Sequence, residues 1–141
     1  MSGFLLDTNV ISELVKPRRE PKVASWIEST DERLLFLSVL TLGEIRKGIA
    51  VLPDAPRRVR LEAWLDSDLA VRFTDRILPV DQEVADRWGR LVAQASANGV
   101  DLPVIDGLLA ASALHHDLTL VTRNTKDVAA TGVSLFNPWA E

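Results

Sequence analysis

The chain alternates short apolar runs with longer segments in which apolar residues recur every three to four positions. The clearest short runs are "FLL", "LLFLS", "LTLV" and "VSLF". Runs of this kind are typical of strands buried on both faces of a parallel sheet, whereas the longer segments have the periodicity of amphipathic helices. Strands that alternate with helices predict an α/β fold, a sandwich with a mainly parallel central sheet.

The predicted elements fill the chain without a linker or an internal repeat, so we expect one domain over residues 1–141. Strands are predicted at residues 3–6, 34–38, 77–80, 118–121 and 133–136. Helices are predicted from about residue 8 until Pro17, from Pro21, and over about 39–52, 56–71, 83–98 and 103–116. Four apolar residues form the predicted buried face of the first helix: Val10, Ile11, Leu14 and Val15.

Composition excludes several classes of protein. The absence of cysteine excludes disulfides and thiolate metal sites. No apolar run is long enough to span a bilayer and no secretory signal is evident, so a cytoplasmic protein is expected. The net charge of −4 argues weakly against nucleic-acid binding. Nucleic-acid binding stays open because the chain has two basic clusters, which could be solvated surface or could contact phosphates. The first contains Lys16, Arg18, Arg19 and Lys22, and the second contains Arg57, Arg58 and Arg60.

Asp7 ends the first apolar run, although an unpaired charge beside an apolar core is costly. Ligands of open α/β sheets collect at the carboxyl ends of the strands, where Asp7 is predicted to lie. Thr122 and Asn124 follow the strand that ends at Val121, so they are expected at the same edge. Asp7 could equally be an N-cap for the next helix.

Two further acids lie on predicted helices. Asp106, in "PVIDGLLAASAL", has no basic residue on its own helix face, and Gly107 and Ala110 are expected to leave open space beside it. A remote Arg could neutralise it, but buried charges otherwise coordinate metals. Glu44, in "SVLTLGEIRKG", could pair with Lys47 on the surface.

Acids without a convergent His or Cys favour a hard divalent cation, because such ions take oxygen ligands. One or two such ions can activate water and stabilise the leaving oxygen of a phosphodiester. Nearby polar side chains would orient waters or carboxylates around the ion: Thr8, Asn9, Ser38, Thr122 and Asn124. Three tryptophans at helical spacing among aliphatic residues are expected in the core or a dimer interface: Trp26, Trp64 and Trp88.

The ordered set "LLDTNVISEL", "SVLTLGEIRKGI", "VIDGLLAASAL" and "LVTRNTKDVAATGVSLFNPW" resembles the PIN-domain ribonucleases, in particular the VapC-type toxins and their FitB-like branch. The resemblance implies a PIN-like three-layer α/β/α sandwich and catalytic acids at Asp7, Glu44 and Asp106, with Asp7 and Asp106 as metal ligands. It also implies Mg²⁺- or Mn²⁺-dependent endonucleolytic cleavage of RNA, a homodimer, and a VapB-type antitoxin that blocks the site.

The fourth site position departs from the family pattern. Asn124 stands where many relatives place an Asp, and Asp127 is the nearest acid. Asp127 is therefore the fourth catalytic candidate, while Asn9, Thr122 and Asn124 are expected to assist cation binding.

Two other classes of protein share part of this pattern. "DTN" is similar to the start of the aspartyl-phosphate phosphatases, but Asn9 replaces their second Asp, so the general acid is missing. A non-catalytic RNA- or protein-binding domain of the same fold is the remaining alternative, and a lost site acid would indicate it.

Overall fold

A computed structural model describes residues 2–140 of the chain. Its centre is a five-stranded sheet in the order β3-β2-β1-β4-β5, and every neighbouring pair of strands is parallel. The strands are β1 (Phe4–Leu6), β2 (Leu35–Ser38), β3 (Ile77–Leu78), β4 (Thr119–Val121) and β5 (Leu135–Phe136). The predicted parallel α/β architecture is confirmed, with strands shorter than predicted at several ends.

Helices flank the sheet along most of the described chain. They are α1 (Thr8–Leu14), α2 (Pro21–Ser29), α3 (Val39–Ala50), α4 (Ala55–Ala63), α5 (Ala70–Arg72), α6 (Gln82–Ala97), α7 (Val104–His115) and α8 (Thr125–Val128). Short 3₁₀ turns occupy Glu32–Leu34 and Ala129–Thr131, so Leu34 precedes β2 rather than belonging to it. Within residues 2–140, no helix is both long and apolar enough to cross a membrane.

Alternate residues of the strands supply two separate cores. Leu6 and Val121 pack with α1, α2 and α3 on one face of the sheet. Leu5 and Leu120 pack with α6 and α7 on the other face. This alternation follows from the two-residue period of a strand, and it produces the three layers of an α/β/α sandwich.

Side chains at strand ends and loops begin several of the helices. Ser38 accepts a hydrogen bond from the backbone N–H of Leu40 (3.1 Å), and Asp81 accepts one from Val84 (2.9 Å). Both contacts satisfy first-turn donors that the helix itself leaves unpaired. The long helix α6 ends before Gly99, whose φ of +76° suits glycine.

Two helical predictions were wrong in detail. α1 ends at Leu14, so Val15 leaves the buried face and is 37% exposed. The single helix predicted over 56–71 contains a π-helical segment, Trp64–Leu69, between α4 and α5. Buried apolar residues spaced four apart, Leu65, Leu69 and Phe73, drift around a helix of 3.6 residues per turn, and the wider π turn compensates for that drift.

Candidate metal-dependent active site

The site lies where the chain changes direction across the sheet. β1 is followed on one side by β2 and β3, and the chain then returns to place β4 on the other side of β1. The carboxyl ends of β1 and β4 therefore form a topological switch point, the usual ligand crevice of an open α/β sheet. Asp7 directly follows β1, and Thr122 directly follows β4.

Hydrogen bonds from residues that follow β1 and β4 hold Asp7 in place. It is only 6% exposed, and its carboxylate accepts a bond from the Thr122 hydroxyl (2.8 Å). It also accepts a bond from the backbone N–H of Thr8 (2.6 Å), so Asp7 does cap α1. Capping does not neutralise it, because no Lys, Arg or His of residues 2–140 forms an ion pair with Asp7.

The electrostatic surroundings of Asp7 favour its protonated form. Burial raises the pKa of the Asp7 carboxyl, and the negative charge of Glu44 acts in the same direction. The hydrogen bonds from Thr122 and Thr8 lower that pKa but do not reverse the shift. A cation at Asp7 would remove this cost.

Glu44 reaches the site from α3. Its Oε1 atom accepts a hydrogen bond from the hydroxyl of Thr8 (2.5 Å), which ties α3 to the start of α1. The surface ion pair with Lys47 does not form among the described residues. Thr41, which the sequence analysis missed, is fully buried one turn before Glu44, and its hydroxyl lies 3.4 Å from that of Thr8. Its position in "TLGE", three residues before the acid on the same helix face, was the available signal.

Asp106 lies in the first turn of α7. α7 begins at Val104, close to the predicted start, and the positive end of the helix dipole favours an acid in this turn. The expected open space beside Gly107 was wrong. A Cβ built on Gly107 would lie 3.1 Å from atoms of Trp88 and Leu102, so this glycine permits close packing of α6 on α7. Ala110 is fully buried.

The charges around Asp106 come from the other predicted site acids. Burial raises the pKa of the Asp106 carboxyl, and nearby negative charges bring it to about 6. Those charges belong to Asp7, Asp127 and Glu44. The remote Arg that could have neutralised Asp106 is not found within residues 2–140. Asp7, Glu44 and Asp127 are thus close enough to Asp106 to make its ionised form less favourable.

The remaining candidates differ in their surroundings. Asn9 donates to Asp7 (3.5 Å) and to Thr122 (3.4 Å), and its Oδ1 atom is buried without a hydrogen-bond partner. The backbone N–H of Asn124 donates to the Thr122 hydroxyl (3.0 Å), while its side chain is exposed. Asp127 is exposed in α8. Ser38 is fully buried and caps α3, so its hydroxyl has a structural partner.

These donors fit a hard divalent cation that retains water. Within residues 2–140, no group of three or more acidic or histidine side chains is arranged to hold a metal by itself. Mg²⁺ needs only one or two carboxylates, since it keeps several waters and also binds substrate phosphates. Asp7 and Asp106, which have no ion-pair partner among residues 2–140, and the orphaned Asn9 Oδ1 are oxygen atoms of the kind that such an ion binds.

Comparison with known proteins assigns the family. The sequence profile of the PIN domain matches residues 4–132. The chain belongs to the PIN domain family. The resemblance inferred from the sequence motifs is therefore confirmed.

Two relatives of this PIN domain match it over nearly their whole length. Toxin FitB of Neisseria gonorrhoeae is 37% identical over 96% of this chain and 98% of its own. VapC ribonuclease Y4jK of Sinorhizobium fredii is 36% identical over 96% and 97%. The crystal structure of FitAcB from Neisseria gonorrhoeae superposes with a TM-score of 0.94 at 36% identity, covering 98% of this chain and 99% of that chain.

Proposed function

We propose that this PIN domain is an endoribonuclease dependent on Mg²⁺ or Mn²⁺, and that it is the toxin of a VapBC-type toxin–antitoxin pair. One observation carries the proposal: Asp7, Glu44 and Asp106 meet at the switch point of the sheet without a cationic partner in residues 2–140. The similarity to a protein named VapC ribonuclease and to one named Toxin FitB supports RNA cleavage and a toxin role.

Asp7 and Asp106 would hold the ion, with the Asn9 side-chain oxygen and Asn124 close to it. When bound, Mg²⁺ or Mn²⁺ supplies charge stabilisation at the phosphoryl oxygens and lowers the pKa of water. Thr122 orients the Asp7 carboxylate through its 2.8 Å hydrogen bond. Thr8 holds Oε1 of Glu44, so that this carboxylate can accept a proton from the attacking water. Asp127 adds negative charge at the rim of the site.

An antitoxin and a homodimer complete the proposal. A VapB-type antitoxin would cover the acids, and a cytoplasmic location would follow from an RNA target. A short reading frame immediately upstream, encoding a DNA-binding N-terminus and an apolar C-terminal segment, is the expected genomic context. Its absence, together with harmless expression of the isolated chain, would contradict the toxin role but not the nuclease.

RNA cleavage by the purified protein tests the enzymatic part. We expect cleavage with Mg²⁺ or Mn²⁺, none in EDTA, and none from an Asp7→Asn preparation purified in parallel. Cleavage that persists in EDTA would contradict the metal mechanism. RNA binding without cleavage at any metal concentration would favour the alternative, a non-catalytic binding domain of the same fold.

A further inference from the structure

A groove adjoins the Thr8–Glu44 pair and has a cavity volume of about 280 Å³. Six apolar side chains line it: Val15, Ile45, Ile49, Leu52, Leu61 and Trp64. We call this feature the Trp64 groove. Trp64 supplies the aromatic surface and is half-buried, at the start of the π-helical segment. The groove is near the lower end of small-ligand pockets, which start at about 300 Å³.

Two cations line the same groove. Arg57 is exposed and forms no ion pair within the part of the chain that the structure describes. Lys16 pairs with the buried Glu13 at 2.9 Å, but 53% of its side chain remains exposed. The groove therefore combines an aromatic wall, a cationic edge and the site carboxylate Glu44 at one end.

The cationic edge continues away from the groove. Lys16 also lines a polar pocket of about 270 Å³ that contains three arginines: Arg18, Arg19 and Arg123. The guanidinium of Arg123 lies 5.3 Å from the centre of the Trp139 ring, which holds it beside the loop that carries Thr122. Lys16 lines both pockets, and Glu13 and Glu20 line the second one beside the arginines.

We propose that the Trp64 groove receives one base of a single-stranded RNA, next to the phosphodiester that is cut, with Arg57 and Lys16 at the neighbouring phosphates. The inference rests on the proposed nuclease function, because a phosphodiester at Glu44 brings the adjoining nucleotide to the groove. A flat base is apolar on its faces and stacks on aromatic side chains, which matches Trp64. The small volume suits a single base rather than a helix of a partner protein.

Gly48 offers a way to close the groove without disturbing the fold. It lies on α3, lines the groove, and a Cβ added there would meet no atom within 4 Å. Gly43 lies on the same helix, is also exposed, and also has nothing within 4 Å, but it does not line the groove. Gly43→Leu is therefore a matched control for Gly48→Leu, since both replace a helical glycine by a better helix former.

The test is kcat/KM for a labelled single-stranded RNA pool in Mn²⁺, with Mn²⁺-induced melting shifts measured alongside. We expect Gly48→Leu to lower kcat/KM about tenfold through KM, in line with the loss of one stacked base, and to keep the full Mn²⁺ shift. Gly43→Leu should stay within about twofold of the parent. Gly48→Ala, a smaller change, should lie between them.

The salt dependence of RNA affinity distinguishes base stacking in the groove from phosphate contacts at its cationic edge. Replacing Arg57 by Gln should flatten the slope of log affinity against log salt by about 0.7, the value for one phosphate contact on a single strand. Gly48→Leu removes no charge and should leave the slope unchanged. Arg60→Gln, on the same helix but outside the groove, is the control.

The outcomes distinguish this inference from the function on which it rests. If the parent cuts RNA and Gly48→Leu behaves like Gly43→Leu, the base site is wrong while the nuclease stands, and a protein partner is the better occupant of the groove. An equal loss of kcat/KM in Gly48→Leu and Gly43→Leu also overturns the base site. A parent that neither binds nor cuts RNA overturns the nuclease and the base site together.

Discussion

Asp7 and Asp106 carry most of the electrostatic cost of the site. Asp7 is buried and Asp106 is half-buried beside other acids, and burial raises the pKa of both carboxyls. The sequence indicated Asp7 because an acid at the end of a buried strand requires an explanation. It indicated Asp106 because no basic residue shares its helix face. It could not predict that Trp88 fills the space beside Gly107, because that contact depends on how α6 and α7 pack.

The raised pKa of Asp106 predicts how metal-free stability depends on pH. Between the unfolded value of 3.8 and the folded value of about 6, the folded state binds more protons, so the free energy of unfolding falls as pH rises. Asp106→Asn should reduce that fall, whereas the exposed Asp101→Asn should not. Denaturant unfolding in EDTA at several pH values, followed by tryptophan fluorescence, measures this pH dependence of the free energy of unfolding. Parallel curves for the parent and Asp106→Asn would refute the prediction.

Thr122 is predicted to stabilise the site through its hydroxyl. The hydroxyl donates to Asp7 (2.8 Å) and accepts from the backbone N–H of Asn124 (3.0 Å). Thr122→Val should lower the free energy of unfolding by about 1–3 kcal/mol, because it leaves buried polar groups with fewer partners. Thr122→Ser keeps the hydroxyl and should lose less. Equal losses in the two variants would show that packing of the methyl group, not hydrogen bonding, is what matters.

Helices that follow or pack against the sheet position the acids. Asp7 caps α1, and α7 places Asp106 in its first turn. α3 follows β2 directly and carries Glu44 in its second turn. Most of these helices were predicted from apolar periodicity and from residues such as Pro21 and Asp81. The π-helical segment at Trp64–Leu69 was not, because its cause is tertiary: Leu65, Leu69 and Phe73 all have to face the same core.

Replacing Ser38 shows whether its hydroxyl stabilises α3 or contributes to metal binding. Its hydroxyl caps α3, so Ser38→Ala should cost about 1 kcal/mol in stability, like Asp81→Ala at the start of α6. The Mn²⁺-induced melting shift should be unchanged in both variants. A shift lost in Ser38→Ala but kept in Asp81→Ala would instead support the role expected from the sequence, orientation of the ion's surroundings.

The parallel sheet of the whole molecule explains why Asp7 and Thr122, which are distant in sequence, could be predicted to meet. Parallel strands end at one edge, so residues that follow β1 and β4 are brought together whatever lies between them. The strand order itself was not predicted, since short apolar runs do not specify which strand pairs with which. The resemblance to the PIN family supplied Glu44 as a catalytic acid, which the residues alone left open to a surface pair with Lys47.

Thermal melts with and without Mn²⁺ test the claim that Asp7 and Asp106 bind a divalent ion. The parent should gain about 1–3 kcal/mol at Mn²⁺ concentrations well above the dissociation constant. Asp106→Asn should be at least as stable as the parent without metal, because it removes one of several repelling charges, and it should lose most of the Mn²⁺ gain. Asp127→Asn should lose less. An Asp106→Asn protein that melts far lower without metal, yet keeps the full Mn²⁺ shift, would contradict the claim.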